Sequence, residues 1–297
     1  MNIDQINGNT RLMGLLGYPV GHTLSPVIHN ELAREFNHNL IYVPFCVKPE
    51  DIGEAVKGAY ALNVKGLNAT VPHKQGVIPY LSDIDPLAEK IGAVNTLVRT
   101  DDGYKGYNTD ILGLKRQLEE ENIDIQGRDC ILLGAGGAAR AVAFLLAKEG
   151  AKSIYIFNRT KDKAESLAGE INKHYPGTFV TGAGNEEQKE ILGDKKDMLC
   201  IQATSAGLYP DTDNAPIKED DFYGHISDAV DIIYNPENTL FMKKASKAGA
   251  RSFNGLRMLL YQGVIAYELW NDVKVGDISC NKIYDLMEDT IRERNNE

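Results

Sequence analysis

The chain lacks the features of several protein classes. Its cysteines, Cys46, Cys130, Cys200 and Cys280, are scattered, with no C-x-x-C pair and no histidine at metal-ligand spacing. This pattern predicts buried free thiols and no metal site. No run approaches the roughly 18 apolar residues of a membrane span. No basic stretch followed by an apolar core marks the N-terminus, so we expect a cytoplasmic protein that does not enter a membrane.

Positive charge is also scarce. The 32 lysines and arginines are outnumbered by 42 aspartates and glutamates, which gives a formal net charge of −10. This balance disfavours binding to nucleic acid, although a local basic pocket for a phosphate remains compatible with it. The expected partners are small molecules, and the sequence leaves open whether the protein is a monomer or a homodimer.

The most informative stretch that is present is a glycine-rich turn. An apolar run at residues 131–133 enters G-x-G-x-x-A at residues 134–139, and a helical pattern and a second apolar run at residues 154–157 follow. Small residues let the backbone approach a diphosphate, while free N–H groups and the helix dipole face the anion. The β-loop-α-β order is the setting that a dinucleotide fingerprint requires.

The end of the second strand bears on which dinucleotide is bound. Asn158, Arg159 and Thr160 stand where NAD-binding proteins usually place an acidic residue. Without a carboxylate to repel it, a 2′-phosphate can bind the planar fork of Arg159, which favours NADP. The alternative is a solvated surface arginine.

Strand and helix patterns alternate along the chain and predict two α/β domains. Residues 1–111 form the expected substrate domain, which includes a hairpin around residues 101–103. Residues 112–254 form a Rossmann-type, doubly wound cofactor domain. Residues 255–297 contain two amphipathic helices with no strand between them, and such helices need a sheet to cover. We therefore expect them to pack on the substrate domain.

Polar residues interrupt the apolar patterns of the first domain. They are Thr23, Ser25, Asn68, Thr70, Lys74, Asn95 and Asp110. Hydroxyls, amides and one charge of each sign suit a small polyhydroxylated ligand. Each also has a structural explanation when taken alone: a helix cap for Ser25, turn closure for Asn95 and Asp110, and surface exposure for Lys74.

Together the motifs resemble the shikimate dehydrogenase family (shikimate/quinate 5-dehydrogenase) over essentially the whole chain. They lie at residues 21–26, 66–74, 92–96, 106–110, 134–140, 158–160, 203–207, 231–236 and 254–263. The resemblance implies reversible, NADP-dependent reduction of 3-dehydroshikimate to shikimate, a step of aromatic amino-acid biosynthesis.

The resemblance also implies roles for individual residues. Lys74 and Asp110 would be the catalytic pair. The substrate would be bound by Thr23, Ser25, Thr70, Asn95, Asp110, Tyr234 and Gln262, with Asn68 helping to hold the loop. The cofactor would be bound by Gly134, Ala135, Gly136, Gly137, Ala138, Asn158, Arg159, Thr160, Lys163, Thr204, Ile232 and Gly255.

Three positions depart from the family pattern. Thr23 replaces the usual serine, Ala69 replaces valine, and Gln202 replaces asparagine. The extra methyl of Thr23 could reshape the carboxylate end of the pocket, so quinate oxidation is the alternative activity. A different class, a non-catalytic NADP-binding module, is disfavoured because it would have no chemical need for both Lys74 and Asp110.

Overall fold

The computed structural model of the protein describes residues 6–295. The chain divides into two compact units, and each has its own sheet covered by helices. The first unit holds the residues up to Leu114 and those from Leu259 onward, and the second holds Lys115–Met258. The predicted fold class, two α/β domains, is confirmed.

The first unit alternates strands and helices. Its elements are β1 (Arg11–Gly17), α1 (Ser25–Glu35), β2 (Leu40–Cys46), α2 (Ile52–Ala61), β3 (Gly66–Ala69), α3 (His73–Gly76), β4 (Asp83–Ile84), α4 (Pro86–Ile91), β5 (Thr96–Arg99) and β6 (Tyr104–Tyr107), with α11 (Asp277–Asn295) near the end of the chain. Two helices cross the boundary between the units in sequence: α5 (Thr109–Glu120) and α10 (Leu256–Asn271).

The first sheet has the order β2-β1-β3-β5-β6-β4. Strands β1, β2 and β3 run parallel, whereas β5 is antiparallel to both of its neighbours, as the predicted hairpin requires. One face is closed by a buried cluster that includes Leu16, Val56, Leu67 and Leu97. The carboxyl ends of β1, β3 and β6 and the start of β5 therefore meet at one edge of the sheet.

An aromatic cluster stands in the interior of the first unit. The ring of His29 stacks on Tyr42 at 4.2 Å between centroids and lies 5.0 Å from the ring of Trp270. His29 is fully buried, and neither ring nitrogen has a hydrogen-bond partner among the residues that the structure describes. Burial lowers the pKa of His29 from 6.5 to about 3, because the charged form cannot be solvated there.

The second unit is doubly wound. It contains β7 (Asp129–Leu133), α6 (Gly137–Lys148), β8 (Ser153–Asn158), α7 (Lys161–His174), β9 (Phe179–Gly184), α8 (Gln188–Leu192), β10 (Met198–Gln202), β11 (Ile226–Asp231), α9 (Leu240–Lys247) and β12 (Arg251–Phe253). All its strand pairs are parallel, in the order β12-β11-β10-β7-β8-β9. The chain proceeds outward from β7 in one direction and from β10 in the other, so the switch point lies between these two strands.

Two strands end earlier than the sequence predicts. The pattern at residues 229–233 predicts a strand through Ile233, but β11 ends at Asp231. Ile232 N still donates to Gln202 O on β10, whereas Ile233 N turns to the Asp231 side chain. Likewise, the pattern at residues 66–71, which Pro72 stops, predicts a strand through Val71, but β3 ends at Ala69. In both cases the apolar residues continue past the strand into a loop.

Among residues 6–295, no helix is long and apolar enough to cross a membrane. Within the same range, no group of histidine, cysteine, aspartate and glutamate side chains could hold a metal ion. Cys130, Cys200 and Cys280 are buried and form no disulfide, as expected, whereas Cys46 is exposed, so the prediction of burial for this residue is wrong. Cys46 is the last residue of the edge strand β2, where the sheet no longer covers it.

The buried imidazole predicts a pH-dependent stability. The folded chain leaves His29 unprotonated, while the unfolded chain binds a proton below its ordinary pKa of 6.5. Stability from this group is therefore full above about pH 6.5 and is lost toward pH 3, by up to about 1.4 kcal/mol per pH unit. In a His29→Phe variant this loss should be absent.

Urea unfolding from about pH 7.5 to about pH 4.5, followed by fluorescence of the single Trp270, reports on this unit. The exposed His174 offers the control variant His174→Gln, which should lose stability with pH as the wild type does. A difference in unfolding free energy between wild type and His29→Phe that stays constant with pH would contradict the assignment.

Candidate active site

The polar residues of the first unit gather at the carboxyl edge of its sheet. Thr70 follows β3, Asn95 precedes β5, and Asp110 follows the end of β6, in the first turn of α5. The loop after β1 ends at Ser25, the first residue of α1. Crevices outside the carboxyl ends of strands are where α/β sheets bind ligands.

Lys74 and Asp110 form the charged pair of this edge. Lys74 Nζ donates to Asp110 Oδ2 at 2.7 Å, and the two side chains are 33% and 17% exposed. The backbone of Lys74 is held by Val94 N, which donates to its carbonyl at 2.8 Å. An ammonium and a carboxylate in direct contact and reachable from solvent can pass a proton to a bound oxygen.

Asn95 connects the sheet to the start of α5. Its Oδ1 accepts from Thr109 N at 2.7 Å, and its Nδ2 donates to Thr109 Oγ1 at 3.0 Å. These bonds fix the residue immediately before Asp110. Asn95 Nδ2 also donates to Gln262 Oε1 at 3.4 Å, the longest of its bonds and therefore the one that a ligand hydroxyl can most readily replace.

Asn68 extends this buried network to β2. Its Nδ2 donates to Asn95 O and to Thr96 Oγ1, both at 3.1 Å, and its Oδ1 accepts from Tyr42 OH at 2.7 Å. Burial raises the pKa of the Tyr42 phenol well above its usual value, so it stays a donor. Every member is buried and bonded, which makes such a network rigid.

The loop before α1 presents two hydroxyls together. Thr23 Oγ1 donates to Ser25 Oγ at 3.1 Å, and Ser25 N donates to Thr23 Oγ1 at 3.2 Å. On the adjacent strand end, a Cβ on Gly17 would lie 2.5 Å from Thr70 Cγ2, so glycine is needed for that close approach. Paired hydroxyls at a surface loop can donate to an anionic oxygen.

In the second unit, the glycine-rich turn follows β7 at the switch point. Gly134 has φ +114°, and a Cβ there would meet Ala203 O at 2.9 Å, so only glycine fits. Gly136 and Gly137 instead face open space, and no side chain caps α6. Ala135, Ala138 and the first turn of α6 leave room for a diphosphate, which fits the expected dinucleotide.

The segment after β8 carries exposed basic side chains that can contact a ligand. Asn158 Nδ2 donates to Thr160 O at 2.9 Å and shapes the turn. Arg159, Thr160 and Lys163 are exposed, and none of the ion pairs found within residues 6–295 involves Arg159 or Lys163. Two unpaired cations beside an exposed hydroxyl suit a phosphate group.

The loops after β10 and β11 are held by a buried carboxyl group. Asp231 Oδ1 accepts from Ile233 N at 2.9 Å and from Gln202 Nε2 at 3.2 Å, and its Oδ2 accepts from Thr239 Oγ1 at 2.7 Å. Gln202 Oε1 in turn accepts from Thr204 N. Burial raises the pKa of Asp231 from 3.8 to about 7.

Gly255 packs directly on the loop after β11. A Cβ on this residue would lie 2.2 Å from Ile232 O, and Gly255 N donates to Ile233 O at 3.0 Å. Tyr234 follows on the same loop of the second unit. The structure thus brings Ile232 and Gly255 into direct contact.

The sequence reasoning gave no role to several side chains that position the site. Thr96, Thr109 and Tyr42 hold Asn95 and Asn68. Gln202 holds Thr204, and Asp231 holds Ile233. Their signal in the sequence is a polar residue inside or just after an apolar run, as at Gln202 after residues 198–201. That signal marks a buried polar group but does not name its partner.

Comparison with known proteins gives matches in both units. Residues 15–97 match the family model described as the shikimate dehydrogenase substrate binding domain. Residues 116–180 match the family model described as shikimate / quinate 5-dehydrogenase.

Similar proteins cover nearly the whole chain. A shikimate dehydrogenase (NADP(+)) of Halothermothrix orenii is 40% identical over 90% of this chain and 93% of its own length. A shikimate dehydrogenase solved in complex with NADP+ has a TM-score of 0.84 and 39% identity, covering 95% of this chain and 97% of that one. Shikimate 5-dehydrogenase of Thermus thermophilus, solved with NADP(H) and shikimate, has a TM-score of 0.81 and 29% identity, covering 94% of this chain and 100% of that one.

Proposed function

The chain belongs to the shikimate dehydrogenase family, and we propose from this premise that it reduces 3-dehydroshikimate reversibly to shikimate with NADPH, using Lys74 and Asp110 as its acid–base pair. The observation that carries the proposal is the 2.7 Å contact between Lys74 Nζ and Asp110 Oδ2 at the carboxyl edge of the first sheet.

The pair meets the chemical demand of ketone reduction. When bound, NADPH supplies the hydride that converts the carbonyl carbon to an alcohol carbon. Negative charge then develops on the carbonyl oxygen, and the Lys74 ammonium stabilises that charge and donates the proton. Asp110 holds Nζ in place by its hydrogen bond. In the direction of oxidation, the neutral Lys74 amine takes the proton from the alcohol.

The remaining polar residues of the first unit would bind the substrate. Ser25 would donate a hydrogen bond to its carboxylate, and Thr23, whose hydroxyl donates to Ser25 Oγ without the substrate, would turn to donate a second one. Thr70, Asn95, Asp110 and Gln262 would bond the ring hydroxyls, with Tyr234 of the second unit as a further contact. The buried bonds of Asn95 support this assignment, because they fix the position of the amide before a ligand arrives.

The residues of the second unit fit NADP. The open cradle at Gly136 and Gly137 would receive the diphosphate, and the unpaired Arg159, with Thr160 and Lys163, would receive the 2′-phosphate. Thr204, Ile232 and Gly255 would line the nicotinamide end. A cytoplasmic location and a monomeric or homodimeric state remain parts of the proposal that rest on the sequence alone.

Quinate is the second candidate substrate, because the family model that matches residues 116–180 is described by both substrates. We expect kcat/KM for shikimate to exceed that for quinate. Absorbance of the reduced cofactor, NADPH or NADH, followed with both alcohols and with NADP+ and NAD+ on one preparation, tests this. A higher kcat/KM for quinate would overturn the assignment of the substrate. NADPH binding without turnover of either alcohol would indicate a non-catalytic module.

Removing the side-chain amine of Lys74 should abolish most of the catalytic turnover. In Lys74→Ala we expect kcat to fall by at least about a hundredfold with little change in the KM for shikimate, since proton transfer is lost while the hydroxyl contacts remain. The matched control is Lys105→Ala, because Lys105 forms a 2.7 Å pair with Asp83 elsewhere in the same unit. A Lys74→Ala enzyme with near-normal kcat would remove Lys74 from the mechanism.

Removing the guanidinium of Arg159 should weaken binding of one cofactor only. In Arg159→Ala we expect the KM for NADP+ to rise about tenfold or more, while the KM for NAD+ stays nearly constant because NAD+ has no 2′-phosphate. Lys173→Ala, at the opposite end of α7, is the control. Equal effects on the two cofactors would argue against the contact with the phosphate.

A further inference from the structure

A cation near the end of the chain contacts the loop that carries Thr23 and Ser25. Arg294 Nη1 donates to His22 O at 2.9 Å, and its Nη2 donates to Thr23 O at 3.3 Å. Both acceptors are backbone carbonyls, so the planar fork of one guanidinium bridges two successive peptide groups of the loop. The loop and α11 both belong to the first unit.

The helix that delivers Arg294 is itself anchored. Cys280, Ile283 and Met287 of α11 are buried. Lys282 Nζ lies 2.8 Å from Glu31 Oε1, and Ser279 donates to Glu35. Both acidic residues belong to α1, the helix whose first residue is Ser25. Helix α11 therefore contacts both the backbone carbonyls of the loop and α1, the helix that follows the loop.

The spacing along α11 explains why Arg294 reaches the loop. Ile283, Met287 and Arg294 follow one another at intervals of four and seven residues, which places them on one face of a helix. Arg292 lies on a different face, where its ion pairs among residues 6–295 are with Glu288 and Asp289 of its own helix, both at 3.5 Å. The two arginines are thus close in sequence but differ in what they contact.

We infer that Arg294 is a positioning residue for the substrate carboxylate: it fixes the two carbonyls that flank the Thr23 hydroxyl and places a positive charge beside the loop. The inference rests on the proposed function. The loop hydroxyls are partly ordered by two bonds of 3.2 Å, in which Thr23 N donates to Val20 O and Ser25 N donates to Thr23 Oγ1. With its carbonyls also held, the loop loses less conformational freedom when the substrate binds.

The charge has a second effect on the substrate. The chain has a formal net charge of −10, which repels an anionic substrate. A guanidinium bonded to Thr23 O offsets this repulsion where the carboxylate would bind. Because Arg294 is exposed, we expect a moderate effect that salt screens in part.

The test compares Arg294→Ala with Arg292→Ala. In Arg294→Ala we expect the KM for shikimate to rise about three- to tenfold, with kcat and the KM for NADP+ within about twofold of wild type. Arg292→Ala should leave all three constants within about twofold. Arg294→Lys should still show a raised KM, because one ammonium cannot bridge two carbonyls as the planar fork does. An unchanged KM in Arg294→Ala, or full recovery in Arg294→Lys, would overturn the inference.

Amide hydrogen exchange gives a readout that does not depend on turnover. The amides of Thr23 and Ser25 should exchange faster in Arg294→Ala than in wild type or Arg292→Ala, because the loop has lost its outer contact. Unchanged exchange would also overturn the inference. If the wild type turns over no shikimate, the proposed function fails, and the exchange rates still decide whether Arg294 orders the loop.

Discussion

The contact between Lys74 and Asp110 depends on a buried amide that takes no part in it. Asn95 receives the N–H of Thr109 and binds its hydroxyl, so the first turn of α5 is fixed relative to β5. Asp110 is the next residue of α5, so fixing Thr109 also fixes the position of the Asp110 carboxylate. Lys74 is placed from the other side, since its carbonyl is bonded by Val94 N, one residue before Asn95. Residues 94 and 95 thus position both partners of the charged pair.

The two units hold their loops in different ways. In the first unit, side-chain hydrogen bonds run from Tyr42 through Asn68 and Asn95 to Thr109, and every member is buried. The second unit combines the side-chain bonds of Asp231 with close backbone approach at Gly134 and Gly255, positions that admit no Cβ. The difference matches the ligands: ring hydroxyls need donors and acceptors in fixed directions, whereas a diphosphate needs room beside free N–H groups.

Sequence reasoning predicted the fold class correctly, because apolar periodicity reports directly on which face of a helix or strand is buried. It placed Lys74 near Asp110 only through the resemblance, since 36 residues separate them and spacing alone does not reveal a contact. The partner of a buried polar group, such as Thr109 for Asn95, depends on the tertiary structure and cannot be inferred from the local sequence. The end of β11 was missed for the same reason: Ile233 continues the apolar pattern, but its N–H donates to the Asp231 side chain and not to the neighbouring strand.

The buried Asp231 carboxyl group positions the loop after β11 but lowers the folding stability at neutral pH. Its pKa is raised to about 7 by burial, so an unfolded chain ionises this carboxyl group above its ordinary pKa of 3.8 while the folded chain retains the proton. Stability from this group is therefore full below about pH 3.8 and declines toward pH 7. An apolar residue would avoid that loss. It could not, however, accept bonds from Gln202, Ile233 and Thr239 together, and those bonds join three separate segments around Ile232. Retaining a destabilising carboxyl group at neutral pH is consistent with selection for the geometry of that loop.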